Sequence, residues 1–143
     1  MTRNNSLIYK KVGGGQMNSR QGSLLEKDIK RIFDLAGFST ELNKRIEDYE
    51  IDVFAEADGN TVAVECKQYE KGELNIRNLI HQWASKNKII EADKIVIAVY
   101  GHEIPQSALS LAEEESIILW DSDDIDEILD GIVEDRDNAK EYL

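Results

Sequence analysis

The chain has 143 residues, 41% of them hydrophobic and 32% charged, enough for the core of one domain beneath a heavily solvated surface. A formal net charge of −12 argues against a uniformly basic nucleic-acid binder, and the single cysteine, Cys66, excludes an intrachain disulfide and disfavours a thiolate zinc site. No run reaches the roughly 20 apolar residues of a membrane-spanning helix and residues 1–16 lack an apolar secretory centre, so the expected location is the cytoplasm.

Residues 1–21 contain Gly13-Gly14-Gly15 among polar neighbours, the composition of a flexible arm or an appended leader outside the fold. The glycines lack the Lys-Ser/Thr that completes a phosphate-cradling loop. A domain is expected over residues 22–133, followed by an acidic tail over residues 134–143. Its first helix is marked by Leu25, Ile29, Ile32, Phe33 and Ala36 at helical spacing, with Ser23 as the expected N-cap and Gly37 at the left-handed C-terminal position. Phe38 to Leu42 reads as a short strand and the charged run from Asn43 to Asp48 as a turn or loop. Tyr49 to Glu56 and Thr61 to Lys67 are rich in β-formers and flank Ala57-Asp58-Gly59-Asn60, which predicts a hairpin.

Ile76, Leu79, Ile80, Trp83, Ala84 and Ile90 describe a second helix. Lys94 to Tyr100 is a nearly continuous apolar strand, so helices must cover both of its faces. Pro105 suits the first turn of a third helix reaching about Glu114, Ile117 to Trp120 forms a short strand, and Asp121 or Ser122 caps a last helix through Ile125, Ile128 and Leu129. The predicted order is α-β-β-β-α-β-α-β-α.

Charge is unevenly spread along this order. Residues 1–48 carry 9 basic and 6 acidic groups, residues 49–100 carry 6 and 9, and residues 101–143 carry 2 and 14. The last third therefore holds the whole excess, either as a solubilising segment or as an end that repels polyanions and orients them.

Because strand side chains alternate, Glu65 and Lys67 share one face while Val62, Val64 and Cys66 share the other. Asp52 interrupts the apolar run Ile51-Asp52-Val53-Phe54-Ala55 on the expected partner strand. If Asp52 faces the same side, two carboxylates and one lysine converge, and a divalent cation would offset their burial and repulsion. Hard oxygen ligands suit magnesium or manganese. Such a site fits phosphodiester hydrolysis, with the Lys67 ammonium beside the attacking water or the developing charge. The alternative for Glu65 and Lys67 is a plain cross-strand salt bridge.

The set Gly22, Glu26, Gly37-Phe38, Ile51-Asp52-Val53 and Val64-Glu65-Cys66-Lys67 resembles the restriction-endonuclease-like Asp…Glu-x-Lys nuclease superfamily over about residues 22–130. It is most similar to the Mrr-like catalytic domains of type IV restriction enzymes and to archaeal Holliday-junction resolvases. The resemblance implies an α/β fold with a mixed central sheet flanked by helices, and magnesium-dependent cleavage of DNA with manganese as a substitute. It also implies metal ligation by Asp52, Glu65 and the Cys66 backbone carbonyl, with Lys67 as the catalytic lysine. Glu26 would be the family's acidic residue on the first helix, or else a capping-box partner of Ser23. Gln82 occupies the place of an accessory polar residue, although the tyrosine expected four positions later is Lys86.

Lys27, Lys30, Lys44 and Arg45 are candidate phosphate contacts, with Arg31 beside the first two; an ordinary solvated surface is the competing reading. His81 and His102 lack metal-ligand spacing, and Trp83 belongs to the apolar stripe. Two strand cuts require two sites, so a homodimer is expected. A resolvase, or a DNA-binding or assembly module that docks a protein partner through its acidic C-terminal third, are the rival functions.

Overall fold

The computed structural model describes residues 18–68 and 74–134. Its element order matches the predicted one: α1 (Asn18–Leu35), β1 (Ser39–Ile46), β2 (Tyr49–Ala57), β3 (Asn60–Gln68), α2 (Ile76–Ile90), β4 (Lys94–Tyr100), α3 (Gln106–Glu114), β5 (Ile117–Trp120) and α4 (Ser122–Glu134). One sheet contains the strands in the order β1-β2-β3-β4-β5. The first three pair antiparallel and the last three parallel, so β3 is where the sheet changes character.

Local chemistry explains most boundaries. α1 ends where Gly37, at φ +95°, lets the Gly37 N–H donate to the Asp34 carbonyl (3.1 Å) and the Phe38 N–H to the Phe33 carbonyl (2.9 Å). Phe38 then stacks edge-on against Phe33, with ring centroids 5.2 Å apart, the apolar contact that accompanies this helix ending. Asp58 and Gly59, both at positive φ, make the β2–β3 turn. Asp121 caps α4 by accepting from the Asp124 N–H at 2.8 Å, and Asp124 returns the bond to the Asp121 N–H at 3.0 Å. Asn75 does the same for α2, accepting from the Asn78 N–H at 3.0 Å.

Two expectations need correction. The charged run after Leu42 is not a loop: β1 continues to Ile46, with Lys44 paired to Ile51 and Ile46 to Tyr49, and only Glu47-Asp48 turn. An edge strand needs just one protected side, and its alternation of exposed and half-buried residues tolerates the charges. Ser23 is not an N-cap either, because α1 has already begun at Asn18. Residues 1–17 of the expected arm and 135–143 of the expected tail lie outside the described residues.

The sheet is covered on both faces, as the apolar run in β4 requires. On one face Val53, Ala55, Val62, Val64, Val96 and Ala98 pack with Leu25, Ile29, Ile32 and Phe33 of α1 and Ile125, Ile128 and Leu129 of α4. On the other, Ala63, Ile95, Ile97 and Val99 pack with Ile76, Ile80 and Trp83 of α2 and Ala108 and Leu111 of α3. Trp83 is core, 1% exposed. Among the described residues no helix is long and apolar enough to cross a membrane.

Candidate active site

The site forms where the β2–β3 ladder ends. Antiparallel pairing runs from Ala57↔Asn60 to Val53↔Val64 and stops there, leaving Asp52 level with Glu65 one step beyond. At this level the alternation of β2 breaks: Val53 and Ala55 pack under α1, whereas Ile51 joins the core under α2. Opposite, between the Leu42↔Val53 and Lys44↔Ile51 pairs, Asn43 takes a left-handed φ of 54°. Asp52 therefore sits at a local roll of the strand, and its carboxylate takes over the ladder. The Cys66 N–H donates to Asp52 Oδ2 at 2.9 Å.

β3 sorts its side chains as the period of two requires. Val64 and Cys66 belong to the α1 side, while Glu65 and Lys67 share the parity of Ala63, on the α2 side. Lys67 Nζ lies 3.3 Å from Glu65 Oε2, with the Glu65 side chain 13% exposed and that of Lys67 31% exposed. Burial, then the Asp52 charge, then a hydrogen bond shared with Asp52 push the Glu65 carboxyl up to about 8, and Lys67 only partly opposes this. Asp52 and Glu65 are thus close enough to share a proton.

Glu26 reaches the same centre from α1. Its carboxyl is pushed up to about 7 by burial first, then by Asp52 and Glu50. With the helix already formed before Ser23, the capping-box alternative for Glu26 loses its premise. The Cys66 thiol is held well above its ordinary range by burial and by Asp52, Glu26 and Glu65, so it is no thiolate. Glu50, two residues before Asp52 on β2, was not singled out from the sequence. The signal was its shared parity with Asp52, which only the register turned into proximity.

Other expected residues lie apart from this cluster. Lys30 is ion-paired to Asp34 at 2.7 Å, and Asp34 also accepts from Thr40 Oγ1. Lys44 pairs with Glu41 at 3.5 Å and lies over the Phe54 ring, while Arg45 donates to the Asp48 carbonyl at 3.3 Å. Lys27 and Arg31 are exposed on α1, and Gln82 and His81 are exposed on α2. The His102 ring is half-buried beyond β4.

Among the described residues no three His, Cys, Asp or Glu side chains form a ready metal cage. Two adjoining carboxylates offer hard oxygen donors, the kind of ligand that divalent cations take.

The restriction endonuclease family model, the Mrr catalytic domain, matches residues 17–129. The chain belongs to this restriction endonuclease family. Domains of this family are restriction endonucleases, which generally use divalent metals and act on DNA. Among solved structures it is similar to AF1548, a protein of unknown function, with 21% identity and a TM-score of 0.59, covering 68% of this chain and 57% of that one. It is also similar to VC1899 from Vibrio cholerae, with 15% identity and a TM-score of 0.59, covering 83% of this chain and 34% of that one. At these identities the likeness is one of fold, and the chain spans well under two thirds of either protein. No curated protein matches it.

Proposed function

We propose that the chain is a magnesium-dependent DNA endonuclease of the Mrr-like type, with manganese as a substitute ion. The observation that carries this reading is the convergence of Asp52, Glu65 and Lys67 at the end of the β2–β3 ladder. Asp52 and Glu65 would hold the ion. So would the Cys66 carbonyl: a strand residue directs its N–H and C=O toward the same neighbouring strand, and the Cys66 N–H is already aimed at Asp52.

Such an ion, when bound, supplies a Lewis acid that lowers the pKa of water and neutralises charge on the phosphoryl oxygens. The protein's own groups do the rest. Asp52, fixed by the Cys66 N–H, orients the carboxylate pair. Lys67 places a positive charge beside Glu65, where it favours hydroxide over water and offsets the charge that develops on the phosphate. Glu26, whose carboxyl is pushed up to about 7 by burial and then by Asp52 and Glu50, is suited to hold or release a proton beside Asp52. Two cuts in a duplex need two such centres, so the active form is a homodimer, which light scattering at working concentration would test.

The deciding experiment is cleavage of linear, methylated and four-way-junction DNA with magnesium and with EDTA. Cleavage of linear or methylated duplex that EDTA abolishes is expected. Turnover confined to the junction would transfer the site to a resolvase, and DNA binding without turnover on any substrate would make the chain a binding module.

A further inference from the structure

The exposed face of α2 stands out from the rest of the molecule in charge. Residues 74–90 contain no aspartate or glutamate in a chain of net charge −12, yet carry Arg77, Lys86 and Lys88. By contrast α4 alone has six acidic residues and no basic one. At 100° per residue, Arg77, His81, Ser85 and Lys88 fall within an arc of about 80°, and all four are exposed. They form one row about 16 Å long. Asn78 and Gln82 flank it, also exposed. At its N-terminal end Asn75, Arg77, Asn78 and His81 line an open recess of about 360 Å³.

This row is also on the correct side of the sheet. Glu65 and Lys67 have the parity of Ala63, which packs against α2, so the catalytic lysine and the α2 row share one side. Lys27 and Lys30 are on α1, which packs on the other face and reaches the site only with Glu26, at the Asp52 end. Arg77 is ten residues from Lys67, so chain reach limits their separation to about 35 Å, one turn of duplex.

We infer that the exposed row of α2, centred on Arg77, His81 and Lys88, is the surface that binds the DNA phosphate backbone beside the active site. The inference deepens the nuclease reading and rests on it for the identity of the polyanion. Charge complementarity selects the occupant: only a polyanion gains from an acid-free basic strip on an otherwise acidic protein, because each phosphate neutralised releases condensed counterions. The one Phe, Trp or Tyr between Arg77 and Lys88, Trp83, is buried in the core, so the row presents no such ring for stacking and suits duplex backbone, not stacked single-stranded bases.

The test is binding of a labelled linear duplex to the full chain over several salt concentrations in EDTA, with cleavage measured separately in magnesium. Arg77→Glu/Lys88→Glu should weaken binding on the order of tenfold at low salt and reduce the slope of log affinity against log salt by about 2. Lys94→Glu, at the far end of β4, serves as a control off the row; it carries half the charge change and should alter affinity and slope by much less than half as much. Circular dichroism and thermal melting should match wild type for both variants, since these side chains lie outside the core. A double variant that binds with wild-type affinity and slope overturns the inference, whether or not wild type cleaves. Wild-type binding that the double variant loses, without cleavage by either protein, supports this surface and overturns the nuclease reading alone.

Discussion

Asp52 carries two jobs that substitution can separate. Its charge raises the pKa of Glu65 and Glu26, and its Oδ2 satisfies the Cys66 N–H. Asp52→Asn keeps an acceptor for that N–H and removes the charge. We expect it to fold near wild-type stability and to lose cleavage. Asp52→Ala also orphans the N–H, and should cost a further ~1–3 kcal/mol in denaturant unfolding. Equal stability of the two variants would show that the bond matters little. Lys67→Ala should likewise spare the fold, since the side chain is 31% exposed, while lowering the cleavage rate at least about 100-fold. Undiminished cleavage would remove Lys67 from the mechanism. Asp52, Glu65 and Lys67 were legible because side-chain alternation and an acid inside an apolar run are properties of the sequence. The Asp52–Cys66 bond and the effect of Glu50 on Glu26 were not. They depend on where the ladder stops and how α1 crosses it, which no local pattern encodes.

Elements whose apolar residues repeat with a clear period were equally readable. α2, β4, β5 and α4 match their expected spans because Ile, Val, Leu and Trp mark their buried faces. β1 was half missed. Its Asn43-Lys44-Arg45-Ile46 segment has the polarity of a loop, and only pairing with Ile51, Glu50 and Tyr49 makes it a strand. The start of α1 was missed for the opposite reason: Ser23 looks like an N-cap, but nothing obliges a serine to open a helix, and this one already includes Asn18. Gly37, by contrast, was assigned its left-handed role correctly, and that role can be measured. A Cβ at Gly37 would meet no atom within 4 Å, so Gly37→Ala probes backbone strain alone at φ +95°. We expect a loss of ~1–2 kcal/mol in unfolding free energy with cleavage retained. An unchanged midpoint would mean that α1 can end without the left-handed residue.

At the scale of the whole molecule, the cluster of Asp52, Glu65 and Glu26 is a store of electrostatic cost that the fold tolerates and that, on the proposed reading, a bound cation would relieve. Ordinary carboxyls titrate near 4.5, whereas Glu26 and Glu65 are held up to about 7 and about 8 in the folded chain. Between these limits the folded state binds more protons than the unfolded one, so stability falls as pH rises. The penalty is absent below about pH 4.5 and complete above about pH 8. In EDTA the melting temperature should therefore drop between pH 5.5 and pH 8.5. Allowing for screening of the half-exposed Glu26, the loss should be ~2 kcal/mol, or roughly 5–8 °C for a chain of this size. Self-repulsion of a chain with a sequence pI near 4.6 acts in the same direction, so two controls isolate the site. Glu65→Gln should flatten the pH dependence, because the amide carries no charge to desolvate. Millimolar magnesium should raise the melting temperature at pH 8.5 more than at pH 5.5, since it binds the ionised pair and competes with protons. A wild-type melting temperature that is flat across this range in EDTA, or a magnesium effect equal at both pH values, would mean that Glu65 and Asp52 do not share a buried charge in solution.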